Sequence, residues 1–359
     1  MSYPIPVDQH SFALQEHYTI KVGNSGPTVK EVNVEIGFSF RSVELLAQRR
    51  SYSQAIELVG RVCSLCANSH TLSFCLAAES IARLTPPARA NYIRVIASEA
   101  ERLHSHLLWC GVMAGLLECQ PLFQQAVQAR ELTAGLLRAI SGRPTNVGLN
   151  CIGGVTRDIN DPLQLLADLA QLRAIIERQI IPAFEASPSL KARLTGLGVL
   201  SLSEARGYGV VGPMGRASGL KFDVRRDAPY SAYDQFDFDV ICLREGDAFA
   251  RLIIRNLEML ESVWLIEQAL LHLPTGPICL ADVPTSLPPG EAVARIEAPR
   301  GELFYYLASN GSDKPARLKI RTPTFANMPA AATLAVGQKR AEMPLLQASI
   351  DPCYACTDR

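Results

Sequence analysis

Two Cys-x-x-Cys pairs with the same spacing lie near opposite ends of the sequence, and they constrain the fold more than any other feature. Cys63 and Cys66 stand in the stretch Arg61–His70, and Cys353 and Cys356 stand in the stretch Asp351–Arg359. Chain ends usually fray and tolerate change, so a dithiol placed there needs an explanation. If the fold brings the two pairs together, their four thiolates form a site for a soft metal ion.

A structural zinc site is the ordinary interpretation of two such pairs. Zinc cages of this type usually close short loops in small domains that cannot build a core. This chain has 359 residues, of which 48% are hydrophobic and only 19% charged. It can therefore bury an extensive core and needs no metal ion to stabilise the fold. The composition therefore favours a redox-active metal over structural zinc.

The overall charge and the distribution of apolar residues exclude several classes of partner. Lys plus Arg equals Asp plus Glu at 35 each, which provides no electrostatic case for nucleic acid and no polybasic patch for lipid. The N-terminus lacks the pattern of a signal peptide, and ten cysteines fit a reducing compartment. No run approaches the ~20 apolar residues that span a bilayer. We expect no direct membrane insertion and a position on the cytoplasmic side.

The hydrophobic pattern predicts an α+β fold that is predominantly helical, with a long-helix bundle, a small N-terminal β-sheet and peripheral strands and loops. A single domain is expected over residues 1–359, with a β segment at 1–40, a helical core at 41–290 and a C-terminal active-site segment at 291–359. Residues 18–22 and 32–36 read as a hairpin, and the inserted region 195–245 reads as irregular and then strand-like. The predicted helical stretches are 53–84 (interrupted by the dithiol), 90–117, 121–140, 162–184 and 247–272.

Several polar residues and cysteines have ordinary structural interpretations. His104 and His106 are two apart on a helix and point to different faces, so they cannot grip one metal together. Charges along the last long helix are interpreted as surface residues, namely Arg251, Arg255, Glu258 and Glu261. The six remaining cysteines are interpreted as small core side chains, namely Cys75, Cys110, Cys119, Cys151, Cys242 and Cys279.

Together the two cysteine motifs resemble the signatures of the large subunit of nickel–iron hydrogenases. The stretch Arg61–His70 matches Arg-x-Cys-x-x-Cys-x-x-x-His, and Asp351–Arg359 matches Asp-Pro-Cys-x-x-Cys-x-x-His/Arg. The resemblance extends from about residue 10 to residue 359. Arg359 in place of His, together with the short length, looks like the membrane-bound, energy-converting branch, which includes Ech-type, carbon-monoxide-linked and formate-hydrogenlyase-like enzymes. That branch is similar to the quinone-site core subunit of respiratory complex I.

This resemblance implies a nickel–iron centre whose iron carries carbon monoxide and cyanide. By family position, Cys63 and Cys353 would be terminal ligands of nickel, and Cys66 and Cys356 would bridge to iron. Arg300 would overhang the open face of the metal pair. Pro323 and Thr324 would hold the diatomic ligands of iron. From the residues alone, the segments around Arg300 and Thr324 each look like a polar turn between strands.

The same resemblance implies a set of proton-handling residues. Arg300 or Cys353 could accept the proton from dihydrogen, and Glu16 could relay it outward. The structural alternative for Glu16 is a solvated carboxylate at a strand edge. Asp351 could hold Arg300 in place while preserving its charge, so an electrostatic role for Arg300 is equally open. His70 is expected to donate a hydrogen bond to a bridging thiolate, and its alternative is an ordinary helix-surface histidine.

Relatives often hold magnesium with the glutamate that corresponds to Glu44, next to a C-terminal histidine. Arg359 replaces that histidine, and guanidinium cannot ligate a metal. We therefore predict an ion pair between Glu44 and Arg359 in place of magnesium.

The chain has no spare cysteine cluster for electron transfer, which implies partner proteins. Expected partners are a small subunit with a four-iron four-sulfur cluster, ion-translocating membrane subunits, and ferredoxin or a carbon monoxide or formate dehydrogenase as electron donor. The predicted function is the reversible reduction of protons to dihydrogen. A non-catalytic complex I-like scaffold and a structural zinc protein are the alternatives.

Overall fold

The computed structural model describes residues 26–145 and 148–359, together with the backbone of two N-terminal strands. These strands, β1 (Tyr3–Ile5) and β2 (Thr19–Val22), form an antiparallel sheet with β3 (Val32–Glu35) in the order β1-β2-β3. The predicted hairpin therefore pairs as expected, and β1 adds a strand that the sequence pattern did not reveal. Glu16 and its neighbour His17 lie outside the described residues.

Helices make up most of the remaining chain, and several boundaries coincide with sequence signals. The Asp161 carboxylate caps the helix that begins at Pro162 by accepting from the N–H of Gln164 at 3.0 Å. Gly142, at a φ of 81°, ends the helix before it. The helices are α1 (Val43–Ala47), α2 (Tyr52–Val59), α3 (Ala67–Ala82), α4 (Ala88–Leu116), α5 (Gln120–Ser141), α6 (Pro162–Ile175), α7 (Ile181–Glu185), α8 (Pro188–Leu194), α9 (Leu202–Tyr208), α10 (Pro213–Ala217), α11 (Val224–Asp227), α12 (Ala248–Leu271), α13 (Pro323–Ala335), α14 (Met343–Ile350) and α15 (Tyr354–Asp358).

The long predicted helices are confirmed, with one interruption. A π-helical turn, Ile176–Ile180, separates α6 from α7, where one helix was predicted. Pro182 follows it at the start of α7; proline has no backbone N–H and cannot maintain the regular α-helical ladder. No helix in the described part of the chain has the length and apolar character needed to cross a bilayer.

The prediction placed the small sheet at the N-terminus, and this needs correction because the sheet with the longest strands is C-terminal. Its strands are β6 (Gly290–Ala298), β7 (Gly301–Ser309) and β8 (Arg317–Arg321), all antiparallel. A short antiparallel hairpin of two strands with two residues each, β4 (Asn150–Cys151) and β5 (Gly154–Val155), precedes this sheet in the chain. The C-terminal sheet is not peripheral, because alternate side chains of β7 are buried in the core.

Two buried apolar clusters organise the described part of the chain. The larger one is formed mainly by α4, α5, α6, α12 and α14. The second lies between α2, α3 and the C-terminal sheet, and it contains all four cysteines of the two dithiols. The sulfur atoms are therefore buried in the core from both ends of the sequence.

The strand-like interpretation of residues 195–245 is wrong. The segment contains the short helices α9, α10 and α11 and a 3-10 turn, Tyr233–Gln235, but no strand. Isolated tertiary hydrogen bonds satisfy part of its backbone in place of a strand ladder: the N–H of Leu243 donates to the carbonyl of Arg216 at 2.9 Å, and the N–H of Gly246 donates to the carbonyl of Ala217 at 2.9 Å.

The interpretation of the α12 charges as surface residues is also wrong for three of the four. Arg251, Arg255 and Glu258 are buried, and only Glu261 stays half-buried. Glu258 accepts from Arg216 at 2.8 Å and bonds the ring of His106 at 3.0 Å. The helical periodicity of the charges looked like a solvated face. Inside the core, however, Glu258 pairs with Arg216, and the guanidinium groups of Arg251 and Arg255 donate to the hydroxyl and the carbonyl of Ser349.

Candidate metal centre

The first dithiol stands in the turn between α2 and α3. Cys66 is the N-cap residue of α3, and its side chain makes no capping hydrogen bond. The backbone N–H of Leu65 points at the Cys63 sulfur at 3.3 Å. Both thiols are buried, so the turn presents them to the interior.

The second dithiol stands at the start of α15, with Cys353 at the N-cap position and Cys356 inside the helix. Asp351 ends α14 in the left-handed conformation, with φ 59°. The backbone N–H of Cys353 donates to the Thr324 hydroxyl oxygen at 2.9 Å. Both dithiols therefore lie at a helix start, but the N-cap residue is the second cysteine of the first pair and the first cysteine of the second pair.

The last residues of the sequence are held in place by hydrogen bonds to distant segments. The Asp358 carboxylate accepts from the backbone N–H groups of Gly37 and Ser39 at 2.8 and 2.9 Å. Arg359 donates to Glu44 at 3.0 Å, and the predicted ion pair is confirmed. All nine residues from 351 to 359 are buried, which explains how the second dithiol can occupy this stretch without fraying.

Arg41 links the two dithiol segments directly, a role that sequence reasoning did not assign. Its guanidinium donates to the carbonyls of Arg61 and Val62 at 2.9 and 3.0 Å, next to the first dithiol. It also donates to the carbonyl of Ala355, between the two cysteines of the second dithiol, at 2.8 Å. One side chain therefore fixes the distance between the two segments.

The four sulfur atoms meet in two close pairs. The Cys63 and Cys353 sulfurs are 3.4 Å apart, and the Cys66 and Cys356 sulfurs are 3.3 Å apart. The sulfurs of Cys63, Cys66 and Cys356 all lie within 4.8 Å of one another, a spacing that can hold a metal ion. The prediction that the two ends of the sequence converge is confirmed.

The protonation of the thiols shows why this cluster fits a metal. Hydrogen bonds from the Cys356 and Cys63 thiols lower the pKa of Cys66 to about 7. For Cys353, the hydrogen bond with the Cys356 thiol lowers the pKa. The hydrogen bond with Cys63 and the burial of the group outweigh it, and together they raise the pKa of Cys353 to about 12. Several thiolates in one buried place repel one another, so a cation must balance them for all four to be ligands. The donor set of soft sulfur atoms suits a soft or borderline transition-metal ion.

His70 lies on α3, one turn after Cys66, and is placed as the sequence predicted. Its Nε2 is 3.5 Å from the Cys356 sulfur, and its Nδ1 is 2.7 Å from the Tyr305 hydroxyl oxygen. Burial lowers the pKa of His70 to about 3, so the ring is neutral. A thiolate at Cys356 can only accept, which puts the ring proton on Nε2 and makes Tyr305 the donor to Nδ1. Tyr305 was not foreseen; only its buried position on β7 identifies it.

Arg300 occupies the turn between β6 and β7, as the sequence indicated. Its Nε donates to the carbonyl of Asp351 and its Nη2 to the Asp351 carboxylate, both at 2.8 Å, and Nη1 donates to the Ser105 hydroxyl at 3.2 Å. Although burial acts to lower it, Asp351 raises the pKa of Arg300 above its ordinary value. The guanidinium is thus a fixed cation, which favours the electrostatic role over that of a proton acceptor.

Close backbone packing positions this turn. A Cβ atom on Gly212 would lie 2.4 Å from the carbonyl oxygen of Arg300, and one on Gly301 would lie 2.7 Å from the N atom of Gly212. Both glycines have positive φ angles, 69° and 125°. A side chain at either position would push the turn, and Arg300 with it, away from the sulfurs.

A very small cavity of about 10 Å³, roughly the room that one water molecule needs, joins these groups. Three of the four cysteines line it together with four other predicted site residues and three residues that were not predicted: Cys66, Cys353 and Cys356; His70, Arg300, Pro323 and Thr324; and Ala298, Pro299 and Leu303. The Oδ2 atom of Asp351 is buried and has no hydrogen-bond partner in the described part of the chain. Pro323 and Thr324 begin α13 and do not lie between strands, so the bare turn interpretation was wrong for them.

Two sets of predicted residues lie elsewhere. Glu16 is outside the described residues and cannot be placed. Cys75 and Cys110 are buried as predicted, whereas Cys151 and Cys279 are half-buried, with sulfurs 3.7 Å apart. These two form a pair and are not isolated core side chains.

Comparison with known proteins supports the same assignment. A family model described as nickel-dependent hydrogenase matches residues 41–118, and one described as the 49 Kd subunit of respiratory-chain NADH dehydrogenase matches residues 119–289 and 280–359. The protein belongs to the nickel–iron hydrogenase large subunits of the energy-converting, membrane-bound type, which are related to that 49 Kd subunit of respiratory complex I. It is a hydrogen oxidoreductase subunit.

Individual relatives agree with this family over nearly the whole chain. The carbon monoxide-induced hydrogenase of Rhodospirillum rubrum is 40% identical over 360 residues, which cover 100% of this chain and 99% of the relative. The membrane-bound hydrogenase subunit alpha of Pyrococcus furiosus is 34% identical, covering 96% and 85%. A chain in the structure of the membrane-bound sulfane sulfur reductase, an archaeal respiratory membrane complex, superposes with a TM-score of 0.92 at 30% identity, covering 100% and 98%.

Proposed function

We propose that this chain is the catalytic subunit of a membrane-associated complex that reversibly reduces protons to dihydrogen and couples the reaction to ion translocation. The observation that carries the proposal is the convergence of four buried cysteines from both ends of the sequence, beneath Arg300 and beside His70. When bound, a nickel–iron group would supply an open coordination position and a redox-active centre that exchanges electrons with partner subunits during the interconversion of protons and dihydrogen.

We propose roles for the chain's own residues that follow the observed pairs. Cys63 and Cys353 would be terminal ligands of nickel, and Cys66 and Cys356 would bridge to iron. The Thr324 hydroxyl accepts from Cys353, which leaves its own hydrogen free to donate into the cavity, where Pro323 supplies an apolar wall for carbon monoxide and cyanide. His70 would donate to the Cys356 thiolate and reduce its basicity.

Proton transfer would begin at the Cys353 thiolate, since Arg300 is held as a cation by Asp351. The role of Arg300 would then be to stabilise negative charge that develops over the open position. The Oδ2 atom of Asp351, which is buried without a hydrogen-bond partner among the described residues, would be a second acceptor next to Arg300. Glu16 would carry the proton outward.

Electrons would leave through partner subunits. Among the described residues, the only group of three or more potential metal ligands is the cysteine group itself. We therefore infer a small subunit with a four-iron four-sulfur cluster and membrane subunits that translocate ions, which together would hold this chain on the cytoplasmic face of the membrane. The names of two relatives, a carbon monoxide-induced and a membrane-bound hydrogenase, support this arrangement. Ferredoxin, or a carbon monoxide or formate dehydrogenase, is the proposed electron donor.

Metal analysis combined with infrared spectroscopy tests the proposal. The purified complex is expected to contain nickel and iron and to show stretching bands of metal-bound carbon monoxide and cyanide. Zinc alone, without such bands, would overturn the proposal in favour of a structural zinc site. Absence of any metal from the four-cysteine site would instead favour a scaffold subunit of the complex I type.

A further inference from the structure

The start of α3 lacks the capping residue that helices usually have. Its N-cap residue is Cys66, and N-cap positions normally carry Ser, Thr, Asp or Asn, whose oxygen accepts from the second or third helical N–H. The Cys66 sulfur instead lies 3.3 Å from the Cys356 sulfur and makes no capping bond. The backbone N–H groups of Asn68 and Ser69 therefore need another acceptor in a buried place.

That acceptor comes from a different helix. Glu101 of α4 accepts from the N–H of Asn68 at 2.7 Å with one carboxylate oxygen and from the N–H of Ser69 at 3.0 Å with the other. The Ser69 hydroxyl adds a third bond at 2.5 Å. Glu101 is only 4% exposed, so no solvent group competes for these bonds.

The same face of α4 also reaches the opposite side of the cavity. Ser105, one helical turn after Glu101, accepts from the guanidinium of Arg300. Helix α4 therefore contacts both the segment that carries Cys66 and the side chain that lies over the sulfurs.

We propose that Glu101 is a positioning residue of the metal centre: it caps α3 from α4 and thereby frees the Cys66 thiol to be a ligand. This inference rests on the proposed metal centre. A cap from the N-cap residue itself would require an oxygen side chain at position 66, which would remove a thiolate. Glu101 supplies the acceptors from outside the helix, and its two oxygens match the two N–H groups one to one. Glutamine at this position would set an amide NH₂ against one of the N–H donors.

Cobalt(II) binding to the full chain, prepared without nickel and iron, measures the geometry of the thiolates directly. Wild-type protein is expected to show intense sulfur-to-cobalt charge-transfer absorption. Glu101→Gln is expected to lower the cobalt affinity by about tenfold or more, the range found when groups behind metal ligands are removed, and to alter the absorption spectrum. Glu101→Asp, which keeps both acceptor oxygens, should recover part of the affinity. Glu131→Gln, an exposed position on α5, is the matched control and should stay within about twofold.

A second comparison keeps the capping inference testable without metal. In the double variant Cys66→Asp/Glu101→Gln, the aspartate at the N-cap position can accept from Asn68 and Ser69 itself. Its melting temperature should therefore exceed that of Glu101→Gln alone, even if the single variant folds poorly. Wild-type cobalt affinity and spectrum in Glu101→Gln would overturn the inference, as would a double variant that is no more stable than the single one. Absence of the charge-transfer band in wild type would instead count against the metal centre, while the melting comparison would still decide the capping role.

Discussion

Replacing Arg359 by alanine tests how the stretch at residues 351–359, which contains the second dithiol, is held in place. The side chain of Arg359 is 9% exposed, and its Nε donates to Glu44 at 3.0 Å. Glu44 keeps two other partners, the Lys319 ammonium at 3.1 Å and the N–H of Ile320 at 3.0 Å. A charge-assisted hydrogen bond contributes roughly 1.5–3 kcal/mol, and because Glu44 is not left unpaired, we expect about 2 kcal/mol for this one.

A second contact adds to this loss. The Arg359 guanidinium lies 5.4 Å from the centroid of the Phe325 ring, and a cation–π contact of this kind contributes about 0.5–1 kcal/mol. The free energy of unfolding should therefore fall by roughly 2–3 kcal/mol. With an unfolding entropy of about 2.1 cal/mol/K per residue, a chain of 359 residues should melt about 3–4 °C lower.

The assay is thermal unfolding together with nickel content after purification. Lys319→Ala is the matched control, because it removes another cation from the same carboxylate, but from a side chain that is 51% exposed, where ion pairs contribute little. Arg359→Ala should lower both the melting temperature and nickel retention, and Lys319→Ala should change neither appreciably. Equal effects of the two variants, or full nickel retention in Arg359→Ala, would refute the idea that the Glu44–Arg359 pair anchors the second dithiol.

Three further predictions concern the site, and a fourth concerns the buried histidine His104. Replacing any one of the four site cysteines (Cys63, Cys66, Cys353 and Cys356) by serine should abolish hydrogen turnover and reduce the nickel content. The control variant Cys75→Ala should retain both. Full activity in even one serine variant would contradict the four-thiolate site. Arg300→Lys keeps the charge but loses the two-point contact with Asp351, so turnover should fall by roughly 10–100-fold while the metal stays bound, as measured by kinetics alongside metal analysis. Glu16→Gln should suppress hydrogen production and uptake with dyes but leave some para/ortho hydrogen conversion, and parental rates of production would exclude Glu16 as the relay. Burial lowers the pKa of His104 to about 4, below its ordinary value near 6.5, so at acidic pH the unfolded chain binds a proton that the folded chain does not. The free energy of unfolding should therefore fall by roughly 1–2 kcal/mol from this group between pH 6.5 and pH 5, and denaturant unfolding of His104→Gln should show a smaller loss.

Local signals in the sequence determined much of the helical framework. The Asp161 cap and the glycine at position 142 marked helix ends correctly, because these residues act on the adjacent backbone and need no distant partner. The region 195–245 was misread for the opposite reason. Its residues alternate as in a strand, but tertiary hydrogen bonds hold them in short helices and extended segments.

For charged residues too, the local sequence pattern did not reveal the effect of tertiary contacts. The row of charges on α12 has the spacing of a solvated face, yet Glu258 lies in the core and bonds to Arg216 and His106. Each of these partners is far away in the sequence, so no local pattern distinguishes a buried, neutralised charge from an exposed one.

The sequence by itself determined which four cysteines form the buried cluster, because Cys-x-x-Cys pairs and their flanking Arg, His and Asp residues form a motif that can be recognised without coordinates. The tertiary structure alone decided which sulfurs meet, with Cys63 beside Cys353 and Cys66 beside Cys356. It alone also revealed the residues that hold them there, Glu101 at the start of α3 and Tyr305 behind His70. The physical reason is that a ligand is defined by its own side chain, whereas a positioning residue is defined by a contact between segments that only folding brings together.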